Sequence, residues 1–245
     1  MSFWKLWKKE MNGFHWISVF LMAVLIVFTE QGQREVFVWF SPGVAKWDSP
    51  FGIPMVSIFW LGLWAIFMTF YSLRHEWQTK SIYLLLSLPL KGYKVLGAKI
   101  AGILTGVIVL LTFAVGFFLL CWWEQLSRFH LPYLTAFLFG MTVALLLLIT
   151  IFVLVTLCQF TFLTGKMFPR FQLLVSGIVF YLITNLLYKL LIDNMPVLKR
   201  WIPDLAIRFG ATRFDAGLWF FLPLFVIGIS FFNINSYLFE RKIQL

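Results

Sequence analysis

Charge is what this sequence has least of. Only 12% of its 245 residues are Asp, Glu, Lys or Arg, about half of the roughly 25% usual in soluble domains. Against that, 61% are hydrophobic and 20% aromatic, and such a composition cannot cover a water-soluble surface. Cysteine is nearly missing as well. Cys121 and Cys158 are the only two, and the topology derived below puts them near opposite membrane faces, beyond the roughly 7 Å between Cα atoms that a disulfide allows. The three histidines, His15, His75 and His130, fall in separate loops or span ends without metal-ligand spacing, so each reads as a structural or interfacial residue. The acids do not pair across any predicted helix face, and no catalytic set emerges. A retained first span is expected too, because Val27, Phe28, Thr29 and Glu30 at the end of the first apolar run lack the small residues of a cleavage site.

What is present is a succession of uncharged runs: Met11 to Thr29, Ser49 to Leu73, Ile100 to Trp123, Leu131 to Gly165, Phe171 to Tyr188 and Ala216 to Phe239. A helix needs roughly 20 apolar residues to cross a bilayer core. The runs lack the period-two alternation of a membrane barrel. The expectation is an all-α, polytopic integral membrane protein, in which residues 1–245 form a single transmembrane domain. Six transmembrane helices are placed near 13–30, 51–73, 97–123, 131–163, 171–191 and 216–239, preceded by an N-terminal interfacial helix over residues 2–12 that mixes Phe3, Trp4, Leu6 and Trp7 with Lys5, Lys8 and Lys9. With the N-terminus in the cytosol, twelve of the 20 Lys and Arg fall on the inner side. Lys and Arg favour the inner side, so a multi-pass plasma-membrane protein with both termini cytosolic is expected. The net charge of +10 follows this topology rather than forming one continuous basic face, which argues against a nucleic-acid partner.

Ionisable residues are scarce inside the spans, with Glu30, Glu124 and Lys189 at predicted outer ends. That weakens the reading as an ion-coupled secondary carrier, whose coupling ion needs a charged partner near the midplane. Thr142, Thr150, Thr156 and Asn185 are expected to make interhelical hydrogen bonds. Residues 193–215 are expected to hold an outer amphipathic segment, with Val197, Leu198, Trp201, Ile202, Leu205, Ala206 and Phe209 at helical spacing and Pro203 kinking it. Ala98, Gly102 and Gly106 repeat every four residues, a small-residue stripe suited to close helix packing within the chain or to a dimer contact.

The segment 74–96 carries the strongest functional signal. Ser81 to Leu90 is apolar but only ten residues long, too short to span, so it is either a surface helix or a set of apolar anchors for a partner. The nearby GYKVLGAK run of Gly92 to Lys99 departs from a phosphate-binding loop: Ala98 separates Gly97 from Lys99, and no Ser or Thr follows the lysine. Any nucleotide is therefore handled by another polypeptide.

Glu76, Gln78-Thr79, Leu84-Leu85-Leu86, Ser87-Leu88-Pro89, Lys91 and Gly97-Ala98-Lys99 follow in the order of the cytosolic loop between the second and third spans of ABC-2 type (type V) permease subunits. There the loop reads E-x-x-G-T, a leucine-rich helix ending S-x-P, a basic residue and G-K. Gln78 stands where that pattern has glycine, and Ala98 splits the G-K. The chain resembles that family over its whole length. The resemblance implies a coupling helix (Glu76, Thr79, Leu84, Leu85, Leu86, Ser87, Pro89 and Lys91) that docks in a cytosolic ABC ATPase. It also implies a dimer of permease subunits bound to two such ATPases. ATP and Mg would be bound by the partner, with no cofactor and no enzymatic site in this chain. Lys91, Lys94 and Lys99 would hold the return segment at the anionic inner leaflet. The expected role is export of an amphipathic, peptide or lipid-like substrate. The alternatives are a non-transporting sensor or immunity partner and a secondary carrier.

Overall fold

The computed structural model describes residues 3–11, 16, 18–20, 22–24, 52–78, 91–127, 133–201, 205–209, 212–216 and 218–242. The described chain is helical apart from one short hairpin. Its elements are α1 (Phe3–Met11), α2 (Gly52–Gln78), α3 (Gly92–Ser127), α4 (Tyr133–Lys166), α5 (Gln172–Asp193), α6 (Met195–Trp201), β1 (Leu205–Phe209), β2 (Thr212–Ala216) and α7 (Leu218–Lys242). Among the described residues four helical stretches are long and apolar enough to cross a membrane: Gly92–Gly116, Met141–Lys166, Gln172–Asp193 and Phe221–Glu240. They coincide with the third to sixth expected spans. The first expected span lies mostly outside the described residues, although Val19 and Met22 from it are buried in the core. The second is matched in position by α2, a helix of 27 residues.

Two helix ends run further than the sequence reading places them. α2 continues through Arg74, His75, Glu76 and Trp77 to Gln78, and α3 starts at Gly92, so both stems of the expected 74–96 loop are helical. No Gly or Pro between Leu73 and Gln78 stops α2, and a polar residue does not end a helix by itself. The connection is thereby shortened to 79–91.

The bundle is built on two buried clusters. One joins Leu61, Trp64 and Met68 of α2, Ile103, Val107 and Leu110 of α3, and Ile151 and Val155 of α4. The other gathers Leu6 of α1, Leu73 of α2, Leu96 of α3, Phe162 of α4 and Phe239 of α7. The last turns of α2, α4 and α7 thus meet α1 and the first turns of α3 at one end of the bundle. That end therefore holds both the N-terminal helix and the end of α7. The Gly92 N–H donates to Glu240 Oε1 of α7 at 2.7 Å, which straps the start of α3 to the C-terminal helix.

Small residues decide how close the helices come. Gly102 faces Glu10, whose Cβ would lie 3.3 Å from a Cβ at that position, and a Cβ at Gly106 would collide with the Trp64 ring. With Ala98 also buried, the Ala98–Gly102–Gly106 stripe packs inside the chain, against α1 and α2. At the α4–α5 turn, a Cβ at Gly165 would meet Ser176 Oγ and lie 2.8 Å from the Gln172 carbonyl. This lets Ser176 Oγ donate to the Thr161 carbonyl at 3.0 Å.

Two expectations are corrected. Residues 205–209 and 212–216 pair as antiparallel strands with Leu205 opposite Ala216 and Phe209 opposite Thr212, not as a continuation of the helix that ends at Trp201. Proline has no N–H for a helical ladder, and Leu205, Ile207 and Phe209 fit a period of two as well as a helical one. Thr150, Thr156 and Asn185 do not reach neighbouring helices either, since their side chains bond the carbonyls of Leu146, of Phe152 and Val153, and of Tyr181 on their own helices. A polar link between α7 and α4 runs instead from Asn235 Nδ2 to the Thr156 carbonyl, at 2.9 Å.

Candidate functional site: a buried ionic joint at the loop stems

Where α1, α2 and α3 meet, four charged side chains and one hydroxyl form a closed network. Lys99, in the second turn of α3, donates to Glu10 Oε1 at 3.0 Å and Ser72 Oγ at 2.8 Å and pairs with Glu76 Oε2 at 3.0 Å. The first two contacts are hydrogen bonds, and the third is an ion pair. Ser72 Oγ in turn donates to Glu10 Oε2 at 3.0 Å. Lys9 reaches the other side of Glu76, at 3.3 Å from Oε1. The Lys99 side chain is only 2% exposed, with Glu76 at 6% and Glu10 at 15%, while Lys9 is 48% exposed and opens to solvent. Two carboxylates face two ammonium groups, so the joint carries no net charge.

Each partner is placed by its helix. Glu10 lies in the last turn of α1 and Glu76 in the last turn of α2. The C-terminal end of a helix disfavours a negative charge, so Glu76 is held there by its two lysines. Gly102 supplies the close approach that brings Glu10 within reach of Lys99 one turn earlier. Beside the joint, Trp7 Nε1 donates to Thr105 Oγ1 at 3.4 Å, giving α1 a second polar hold on α3.

Burial alone would raise the pKa of Glu10. The Lys99 charge and hydrogen bond, the Ser72 hydroxyl and the more distant Lys9 outweigh it and hold the carboxyl below its ordinary 4.5. Because the native value is depressed, Glu10 contributes stability above the ordinary carboxylate range and loses it as pH falls through the native value. The midpoint of thermal unfolding in neutral detergent should therefore drop on acidification below about pH 4.5. Glu10→Gln should flatten that part of the acid limb, and an unchanged acid limb in E10Q would contradict the assignment.

The sequence-predicted docking residues divide into two groups. Glu76 is buried in the joint rather than opening a short helix, and Lys91 is exposed one residue before α3. Thr79, Leu84, Leu85, Leu86, Ser87 and Pro89 lie outside the described residues. Lys99 is also corrected: it is buried between carboxylates, not held among headgroups. Sequence reasoning missed the joint because Glu10 and Lys99 are 89 residues apart, and Lys9 and Glu76 are 67 apart. The available signal was a lone lysine set among Ala98, Gly102 and Gly106 at the start of a span.

Each charged side chain of the joint faces one of opposite sign. Its chemistry is that of a clamp. No group of three or more His, Cys, Asp or Glu suited to a metal occurs among the described residues. No protein-family model, curated protein or solved structure matches the chain. Fold and site together define a helical membrane protein whose α2–α3 connection is clamped at both stems.

Proposed function

We propose that this chain is the membrane-spanning permease subunit of an ATP-driven exporter of the ABC-2 type, moving an amphipathic, peptide or lipid-like substrate. A separate cytosolic ABC ATPase binds ATP and Mg and docks on the 79–91 connection, and a second permease subunit completes the complex. The chain has six spans, and the bundle end that holds α1 faces the cytosol of the plasma-membrane protein. One observation carries the reading: the two stems of the connection are tied to each other and to α1 by Glu76, Lys99 and Glu10. A force applied to the Leu84–Pro89 segment would move α2, α3 and α1 as one body instead of being absorbed in a slack loop. The substrate class follows from the uncharged spans, since a strongly charged cargo would need compensating groups.

The test is co-purification of the chain with the ABC ATPase encoded nearest to it. The wild-type pair should elute as one complex. Leu85→Asp with Leu86→Asp should weaken it roughly a hundredfold or more, because two carboxylates would be forced into an apolar groove. Thermal unfolding of the isolated double variant should match wild type. A complex that survives both substitutions overturns the docking assignment.

A further inference from the structure

A cleft of about 600 Å³ lies between α2, α4 and α5, within the roughly 300–1,000 Å³ of small-ligand sites. Its α2 wall is made at four-residue steps by Ile66, Phe70, Arg74 and Gln78, and Phe180 of α5 adds to the apolar half. Arg74 and Lys166 stand at the other half, near the bundle end that holds the ionic joint. The α2 wall thus runs from apolar Ile66 to cationic Arg74 over about 12 Å. Lys166 Nζ sits 5.4 Å from the Trp77 ring centroid and 5.6 Å from that of Phe162. Those ring faces orient the ammonium without neutralising it. Among the described residues no carboxylate lines the cleft, and none pairs with Arg74 or Lys166.

Two cations that no described carboxylate pairs, at the mouth of an apolar groove and at the end of the candidate span Met141–Lys166, complement one ligand chemistry: a single negative headgroup carrying an acyl chain. We infer that the cleft binds an anionic phospholipid of the surrounding leaflet. The phosphate lies between Arg74 and Lys166, and one chain lies along Ile66, Phe70 and Phe180. The guanidinium fork gives Arg74 paired N–H donors for phosphate oxygens, and Lys166 adds a point charge. This inference needs only that the chain be embedded in a bilayer. It stands or falls separately from ATPase docking.

The experiment is native mass spectrometry of the full chain, delipidated in a neutral detergent and titrated with phosphatidylglycerol or phosphatidylcholine of identical acyl chains. Wild type should prefer phosphatidylglycerol by roughly tenfold or more, as expected for two cations near a headgroup. The Arg74→Gln/Lys166→Gln variant should lose that preference, while Lys5→Gln/Lys8→Gln on α1 should keep it. Arg74→Gln alone alters an exposed side chain and serves if the double variant unfolds; it should lose several-fold. Millimolar inorganic phosphate should leave bound phosphatidylglycerol in place, because the apolar half holds the chain. Equal binding of the two lipids, a preference that survives R74Q/K166Q, or displacement by phosphate alone would each overturn the inference.

Discussion

Replacing Lys99 with Met should lower stability by about 3–5 kcal/mol, the usual cost of removing one member of a buried ion pair. Met fills nearly the same volume, so the loss comes from charge: Glu10 and Glu76 would be left facing each other with little solvent. Lys9 cannot take over, because it reaches Glu76 from the solvent side at 3.3 Å and is half exposed. Thermal unfolding of the purified chain in neutral detergent measures the effect. The triple variant Glu10→Gln/Glu76→Gln/Lys99→Met should recover most of the loss, since replacing a whole buried ionic group with neutral residues is often close to neutral. If K99M unfolds at the wild-type temperature, the joint is not holding these helices together.

The second large effect concerns the α2–α3 contact. Gly106→Leu should destabilise by about 3 kcal/mol, at the upper end of core overpacking, because a side chain there enters the space of the Trp64 ring. Trp64 belongs to the main buried cluster and has no open side to retreat to. Trp64→Ala in the G106L background should restore part of the loss, with the two changes interacting strongly in a double-mutant cycle. The measurement also distinguishes packing within the chain from a dimer contact. A Gly106→Leu chain that folds normally but fails to self-associate would show that the stripe faces another subunit.

The positions of α3, α4, α5 and α7 were readable from run length alone, because a bilayer-length apolar run has few alternatives. Their ends were not. Arg74 to Gln78 read as loop since most of them are polar, yet nothing in that stretch breaks a helix, and the Glu76 charge is met by Lys9 and Lys99 from elsewhere in the sequence. The strand pair 205–209 and 212–216 was misread because a few apolar residues can satisfy two periodicities at once. The threonines were misread for a simpler reason: a hydroxyl in a helix can bond the carbonyl one turn back without any neighbour. Among the residues picked out for function, Glu76 lies in the ionic joint, where its contacts are to Lys9 and Lys99 and not to a neighbour along the chain. Their meeting is set by the approach of three helices, which no spacing along the chain encodes.

The ionic joint also bears on how this sequence can change over generations. Loss of Lys99 strands two acids, and loss of either acid leaves a deeply enclosed cation short of a counter-charge. Each single step is penalised even though the fully neutral set is tolerable. Glu10, Glu76 and Lys99 therefore behave as one inherited character: descendants of this chain should carry all three or have exchanged them together.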